Sequence, residues 1–123
     1  GDGSFGMNLN ELATAVTYNS NVVIVIMNNG VLGMVRQWQK LFYDKRYSNT
    51  VLERKTDFVK LAEAFGAKGT RVETLDEFET VFTEAYSHNG PYVIDTMINM
   101  DELVLPMLPP GGTVENIITK TEE

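Results

Sequence analysis

Cysteine is absent from this 123-residue sequence, and histidine occurs once, as His88. Without cysteine the chain can form no disulfide framework, thiolate zinc site or iron–sulfur cluster, and it has no cysteine nucleophile. A single histidine also excludes a metal site built from several histidines. Because His88 follows a predicted helix and precedes Asn-Gly-Pro, we expect a solvent-facing side chain there.

Long apolar runs are absent as well, since the longest one covers only residues 22–27. Such a run is far too short to span a bilayer. No basic and apolar leader is visible at the start of the sequence. We therefore expect no membrane association and a cytoplasmic location of the bacterial type.

Positive charge is scarce, because 10 Lys and Arg residues face 17 Asp and Glu residues, for a net charge of −7. An acidic chain is a poor ligand for nucleic acid, and we expect no such partner. Residues 36–55 are the exception, with six basic and two acidic side chains. That stretch is either a solvated face or a segment that faces small anions, and the sequence leaves both interpretations open.

The apolar patterns predict strands that alternate with helices. Hydrophobic residues make up 43% of the chain, which is enough for the core of one domain. Alternation of this kind is typical of an α/β fold with a parallel sheet. The predicted strands cover residues 22–27, 70–72 and 92–98, and the predicted helices fall within residues 8–17, 31–42, 57–65 and 74–86.

The first six residues match the pattern G-x-G-x-x-G, which occurs in dinucleotide-binding folds. That function also needs an acidic residue after the next strand, where it binds the ribose. The next predicted strand is followed by Asn28 and Asn29, which argues against a dinucleotide site.

Asp2 and Asn29 are instead predicted to lie side by side at the carboxyl edge of the sheet, because one helix and one strand separate them. Carboxylate, amide and backbone carbonyl oxygens suit Mg²⁺ or Ca²⁺. Gly3 and Ser4, at the entry to a helix, offer backbone N–H groups to phosphates that share the cation. Taken singly, Asp2 is better interpreted as a helix N-cap, and the pair of asparagines as a turn.

Two groups of motifs carry a resemblance to a known family. Gly1-Asp2-Gly3 followed by Asn28-Asn29 resembles the thiamine diphosphate signature. The stretch Gly33-Met34-Val35-Arg36-Gln37-Trp38-Gln39, with residues 57–66 and 105–112, is similar to the large catalytic subunit of acetolactate (acetohydroxyacid) synthase. Gly6 departs from that family, which commonly has glutamine there.

The resemblance implies an α/β, three-layer, parallel-sheet thiamine diphosphate-binding fold. Residues 1–123 would be the C-terminal part of that domain, truncated at its N-terminus and without a second domain. A strand missing from the sheet would leave an unpaired edge, which favours self-association.

The resemblance also implies roles for single residues. Asp2 and Asn29 would bind Mg²⁺ by their side chains, and Val31 would bind it by its carbonyl oxygen. Met34 and Trp38 would line the substrate channel, although each could instead be a core residue. No catalytic residue is expected in this chain, because the family's glutamate that acts on the cofactor comes from another domain. The residues expected to contact the cofactor are Asp2, Gly3, Ser4, Asn29, Gly33 and Met34.

By this resemblance, the full-length enzyme condenses pyruvate with pyruvate or 2-ketobutyrate, with loss of CO₂, in branched-chain amino-acid biosynthesis. It would use thiamine diphosphate and Mg²⁺, with FAD bound mainly outside this chain. Expected partners are the N-terminal and middle domains, further copies in a dimer or tetramer, and a regulatory small subunit. We expect the chain by itself to bind the cofactor weakly or not at all and to be inactive. Two alternatives stay open: the equivalent domain of another thiamine diphosphate-dependent 2-keto acid decarboxylase or oxidase, and a non-catalytic assembly fragment.

Overall fold

Three parallel strands and five α-helices make up the regular structure of residues 1–120, the part of the chain that the computed structural model describes. The last three residues of the predicted 1–123 domain lie outside the described residues. Short 3-10 turns cover Leu9–Glu11 and Val114–Asn116. In chain order the other elements are α1 (Asp2–Asn8), α2 (Leu12–Thr17), β1 (Val23–Asn28), α3 (Gly33–Phe42), α4 (Phe58–Phe65), β2 (Lys68–Val72), α5 (Leu75–Ser87) and β3 (Tyr92–Met97).

The strands form one sheet in the order β1–β3–β2, and both pairings are parallel. Tyr92 begins the central strand and is in register with Val23 on one side and Lys68 on the other. Residues 92–95 of this strand are buried, as expected for a strand that is covered on both faces. The predicted α/β fold with a parallel sheet is confirmed, and all three predicted strands are present.

Helices cover both faces of the sheet and produce three layers. On one face, Ile26 and Val93 contact α1, α2 and α4 in a cluster that includes Leu12, Phe58 and Ala62. On the other face, α5 packs through Phe78, Val81 and Ala85 against Val72, Tyr92 and Ile94. Each large apolar side chain buried in this way contributes roughly 1.5–3 kcal/mol to folding.

Local sequence signals set the ends of two helices. The Asp57 carboxylate accepts hydrogen bonds from the N–H groups of Val59 and Lys60, both at 3.1 Å, and so caps α4. Gly66 ends that helix with a φ of 93°, a left-handed conformation that glycine adopts without strain. Thr74 and Glu77 form a reciprocal capping box at the start of α5. The structure confirms Gly66 as the end of α4 and the capping box of α5, both of which the sequence predicts, whereas capping by Asp57 is a finding of the structure.

The N-terminal helix departs from the prediction. Helical structure begins at Asp2, whereas the apolar spacing predicts a helix within residues 8–17, with Gly3 and Ser4 at its entry. Gly3 and Gly6 make α1 difficult to predict from the sequence, because glycine has a low helix propensity. Tertiary contacts stabilise α1 instead: the ring of Phe5 packs edge-on against Phe58, with 5.5 Å between the ring centroids.

Two side-chain orientations also differ from expectation. The helical spacing of the apolar residues 75, 78, 82 and 85 predicts that Leu75 faces the core. Leu75 is instead 70% exposed, since it is the first residue of α5 and the helix packs on the sheet through later residues. His88 is half-buried rather than solvent-facing. Its ring packs edge-on against Tyr92, with 5.6 Å between the ring centroids.

The segment that follows β3 packs against α3. The buried side-chain amide of Gln37 donates to the carbonyl oxygen of Val104 at 3.0 Å and accepts from the N–H of the same residue at 2.7 Å. Arg36 forms an ion pair with Asp101 at 2.8 Å. No helix within residues 1–120 is long and apolar enough to cross a membrane.

Candidate functional site

The carboxyl edge of the sheet brings the start of α1 and the turn after β1 together. A Cβ added to Gly1 would lie 3.5 Å from the carbonyl oxygen of Met27, near the end of β1. A Cβ on Gly3 would lie 3.3 Å from the Leu32 side chain, which belongs to the turn. The two segments that carry the predicted cation ligands are therefore neighbours.

Asp2 is buried, with 2% of its surface exposed, and its Oδ1 atom has no hydrogen-bond partner within residues 1–120. The hydroxyl oxygens of Thr50 and Thr96 are also buried without partners there. An ionised carboxylate differs from these hydroxyls, because it can only accept and because its burial is unfavourable unless a cation or a donor compensates. Asp2 therefore has the surroundings of a cation ligand.

Asn29 and Val31 lie in the turn between β1 and α3. The Oδ1 atom of Asn29 accepts a hydrogen bond from the N–H of Val31 at 3.2 Å, which leaves a second lone pair on that oxygen. Val31 faces Val51 in an isolated antiparallel bridge, and the bridging hydrogen bonds are made by the residues on either side. The carbonyl oxygen of Val31 is consequently directed away from Val51 and is available to a ligand.

Glycines shape the backbone around these groups. The first helical hydrogen bond of α1 runs from the N–H of Phe5 to the carbonyl of Gly1, at 2.9 Å. The N–H groups of Gly3 and Ser4 thus lie in the first turn and have no partner within the helix. Gly33 begins α3, and a Cβ there would lie 2.7 Å from Nδ2 of Asn29. Only glycine allows the asparagine to occupy its observed position.

Met34 and Trp38 lie one turn apart on α3 and share the wall of an apolar cavity of about 610 Å³. Trp38 is half-buried and packs edge-on against Phe42, with 5.7 Å between the ring centroids. Met34 is 50% exposed, so it is not a core residue in this structure. The guanidinium-bearing side chain of Arg46 lines the same cavity and places positive charge beside the two predicted channel residues.

A buried carboxylate that the sequence analysis did not single out lies beside the site. Asp95 is completely buried; its Oδ1 atom accepts from Asn28 at 2.8 Å, and its Oδ2 atom accepts from Arg71 at 3.0 Å. The hydrogen bond to Asp95 is the main cause that raises the pKa of Arg71 above its ordinary value. Arg71 also pairs with Asp57 at 3.3 Å. The sequence signal for this network was an acidic residue inside an otherwise apolar strand.

A second cavity, of about 370 Å³, opens at the same edge of the sheet. Its lining includes Asp2, Asn28, Gly30, Leu52, Arg54 and Arg71. Within residues 1–120 there is no cluster of three or more histidine, cysteine, aspartate or glutamate side chains that could hold a metal ion. A cation at this edge therefore depends on amide and carbonyl oxygens in addition to Asp2.

Comparison with known proteins identifies the class. The sequence profile of the family described as "Thiamine pyrophosphate enzyme, C-terminal TPP binding domain" matches residues 1–96, and the chain belongs to that family. Within it, the similarity is to acetolactate synthases. The chain is 48% identical over 118 residues to a probable acetolactate synthase large subunit of Methanocaldococcus jannaschii and covers 20% of that protein. It is 44% identical over 125 aligned positions to the acetolactate synthase large subunit of Haemophilus influenzae and covers 22% of it.

Solved structures support the same fold. A thiamine diphosphate-dependent 4-hydroxybenzoylformate decarboxylase from Rhodococcus jostii RHA1 matches 80% of this chain with a TM-score of 0.73 and 35% identity, over 18% of its own chain. Benzoylformate decarboxylase from Polynucleobacter necessarius matches 85% of this chain with a TM-score of 0.75 and 33% identity, over 19% of its own chain. The expected thiamine diphosphate-binding fold is confirmed. The chain spans about one fifth of the length of the proteins it matches.

Proposed function

We propose that this chain supplies the diphosphate- and Mg²⁺-binding part of an acetolactate synthase. The whole enzyme would condense pyruvate with pyruvate or 2-ketobutyrate, with loss of CO₂, in branched-chain amino-acid biosynthesis. The observation that carries the proposal is the buried Asp2 carboxylate, whose Oδ1 atom lacks a partner within residues 1–120. It lies in the family's cofactor-binding domain, next to the turn that bears Asn29 and Val31.

The donor set fits Mg²⁺. Asp2 and Asn29 would bind it through side-chain oxygens, and Val31 would bind it through the carbonyl oxygen that is directed away from Val51. Three oxygen ligands from the protein leave further positions for diphosphate oxygens and water, which is the usual arrangement for this ion. The cation would also neutralise the buried carboxylate, which explains how an acidic residue and a diphosphate can be neighbours.

Backbone groups would bind the diphosphate. Gly3 and Ser4 present N–H groups that have no partner within α1, and the helix dipole favours an anion at that end. Thiamine diphosphate, when bound, supplies the carbanion chemistry that releases CO₂ from a 2-keto acid. Gly33 and Met34 would contact the cofactor from the start of α3. The glutamate that acts on the cofactor is expected from another domain, and we assign no catalytic residue to this chain.

Met34 and Trp38 would form part of the substrate channel. The cavity that they line is mostly apolar, so it would contact the apolar part of a bound keto acid. Arg46, on the same cavity, would attract the carboxylate of the substrate. This is the segment of residues 36–55 whose positive charge stands out in an acidic chain.

FAD binding outside this chain, assembly with the N-terminal and middle domains, a homo-oligomer, a regulatory small subunit and a cytoplasmic location stay predictions. Another thiamine diphosphate-dependent decarboxylase or oxidase is the alternative function. The higher identity to acetolactate synthases, 44–48% against 33–35% for the two decarboxylases, supports the synthase.

A hybrid enzyme tests the proposal. In this hybrid, the chain replaces the equivalent segment of the Haemophilus influenzae large subunit, to which it is 44% identical. We expect the hybrid to bind thiamine diphosphate only with Mg²⁺, as measured by calorimetry, and to form acetolactate from pyruvate. With 2-ketobutyrate added, it should form the mixed condensation product, whereas release of an aldehyde alone would support the decarboxylase alternative.

Asp2→Asn should abolish Mg²⁺-dependent cofactor binding in the hybrid, because the amide removes the only charged ligand of the proposed set. Asp44→Asn is the matched control, since Asp44 is a surface residue whose side chain is 89% exposed. Equal cofactor affinity in both variants would contradict the assignment of Asp2.

A further inference from the structure

Residues 50–54, which we call the clasp, connect the two segments of the proposed site. These segments are the start of α1 and the turn between β1 and α3. The N–H of Leu32 donates to the carbonyl of Thr50, and the N–H of Leu52 donates to the carbonyl of Gly30, both at 2.8 Å. These two hydrogen bonds flank Val31. The clasp thus holds the turn on both sides of the proposed carbonyl ligand.

The other end of the clasp lies on α1. Nη1 of Arg54 donates a hydrogen bond to the carbonyl oxygen of Asp2 at 3.0 Å. A Cβ added to Gly6 would overlap Nη1 of Arg54 and lie 3.1 Å from its Cζ atom. The guanidinium therefore occupies the space above Gly6, and a side chain at position 6 would displace it.

We propose that Arg54 is a positioning residue for the cation site. Through the clasp, it fixes the separation between Asp2 on α1 and the turn that carries Asn29 and Val31. This inference rests on the proposed function, because it concerns the ligands assigned there. Nothing else in the assigned site links the two segments by a side-chain hydrogen bond within residues 1–120.

We expect the position of Arg54 to affect Mg²⁺ binding because this ion has a strict coordination geometry. The ion demands a nearly ideal octahedron of oxygens, so ligands from two separate segments must be held at a fixed distance. Groups that orient metal ligands typically change metal affinity by about 10- to 100-fold when they are removed. Arg54 touches no ligand atom of the set, and its effect would pass through the backbone of Asp2.

The first test measures the dissociation constant of Mg²⁺ in the hybrid enzyme, by calorimetry at saturating thiamine diphosphate. Arg54→Met should raise that constant at least about tenfold, while kcat at saturating Mg²⁺ changes less than about twofold. Lys55→Met is the matched control, because it removes the same charge from the exposed neighbouring residue. Arg54→Lys should retain part of the affinity, since lysine keeps a positively charged donor group.

A double-mutant cycle separates positioning from general stability. Alanine is a better helix former than glycine, so Gly6→Ala should not weaken α1 by itself. We expect Gly6→Ala to weaken Mg²⁺ binding as much as Arg54→Met does, because the new methyl group displaces the guanidinium. In the Arg54→Met background, Gly6→Ala should cause no further loss. Additive losses would contradict the proposal.

Hydrogen exchange tests the mechanical link in the chain itself, without cofactor. Arg54→Met should speed the exchange of the Leu32 and Leu52 amide hydrogens, relative to Lys55→Met, because the clasp loses its anchor on α1. Unchanged exchange rates of these two amides would contradict a mechanical link between Arg54 and the turn.

The Mg²⁺ titration separates the two proposals. A hybrid that binds no Mg²⁺ would overturn the proposed function and with it the role of Arg54 at the cation. A hybrid that binds Mg²⁺ equally in the Arg54→Met and Lys55→Met variants would overturn the role of Arg54 alone.

Discussion

Asp2 and Asp95 are both acidic residues with almost no exposed surface, yet their surroundings differ. Both carboxylate oxygens of Asp95 accept hydrogen bonds, one from Asn28 and one from Arg71. The Oδ1 atom of Asp2 has no such partner in the described part of the chain. A buried charge without compensation is strongly unfavourable. The carboxylate of Asp95 is therefore compensated within residues 1–120, whereas the Oδ1 atom of Asp2 has no partner there and is the atom that would bind the proposed Mg²⁺.

Asp95→Asn should lower the free energy of unfolding by about 3 kcal/mol, the lower end of the range for a broken buried ion pair. We expect the lower end because the side chain of Arg71 is 41% exposed and regains water contacts. The urea unfolding curve of the chain measures this change. Asp44→Asn is the control, since its ion pair with Arg46 lies at the surface, with the two side chains 89% and 76% exposed, and contributes less than about 1 kcal/mol. Equal losses in the two variants would show that burial of Asp95 is unimportant.

Among the elements, α4 and α5 have ends that are set by short local motifs. Asp57 and Gly66 bound α4, and the capping box of Thr74 and Glu77 begins α5. Each signal acts within four residues along the chain, which is why Gly66 and the capping box could be predicted from the sequence. α1 has no such cap: Gly1 precedes it without a side-chain hydrogen bond. The stability of α1 therefore depends on the side chains that pack against it.

Thr74→Ala should destabilise the chain by about 1 kcal/mol, because the N–H of Glu77 loses the hydroxyl that accepts its hydrogen bond. Thermal or urea unfolding measures the change. Thr74→Ser keeps the hydroxyl and should retain most of the stability. A loss of equal size with serine would indicate that the methyl group matters, and not the cap.

The capping carboxylates should make stability depend on pH. Hydrogen bonds from the N–H groups of Glu73 and Thr74 lower the pKa of Glu77 below its ordinary value of 4.5. The N–H of Lys60 likewise lowers the pKa of Asp57 below 3.8. Groups with a lowered pKa in the folded state stabilise the fold fully above the ordinary pKa, and that contribution is lost as the pH falls through the folded pKa.

The urea midpoint should therefore fall as the pH drops below about 4.5, and Glu77→Gln should reduce this decline because the amide does not titrate. Glu79→Gln serves as the control, since Glu79 is an exposed residue on the same helix. The same pH profile in both variants would rule out Glu77 as a source of the decline.

For the molecule as a whole, the proposed function depends on more than the residues of this chain. The proposed chemistry needs a glutamate that is expected from another domain, and the chain spans about one fifth of the length of its curated relatives. In addition, the outer strands β1 and β2 each pair on one side only, so both edges of the sheet are unpaired within residues 1–120. Self-association through an unpaired edge stays a prediction, which size-exclusion chromatography can test.

We expect the chain by itself, supplied with thiamine diphosphate and Mg²⁺, to form no acetolactate from pyruvate. The reason is that the residues proposed to contact the cofactor include no group that acts on it, and the chain by itself is expected to bind the cofactor weakly or not at all. Product analysis with the hybrid enzyme as the positive control checks this expectation. Turnover by the chain at a rate close to that of the hybrid would contradict it.

The sequence by itself determined the alternation of strands and helices, the caps of α4 and α5, and the motifs that place this chain in its family. These features depend on neighbours in the chain or on residue types at fixed spacing. Only the tertiary structure decided that α1 begins at Asp2, that Asp95 binds both Asn28 and Arg71, and that Arg54 lies over Gly6. Each of these depends on contacts between distant residues, such as 2 and 54 or 28 and 95. Such contacts form only when the parallel strands bring their carboxyl ends to one edge of the sheet.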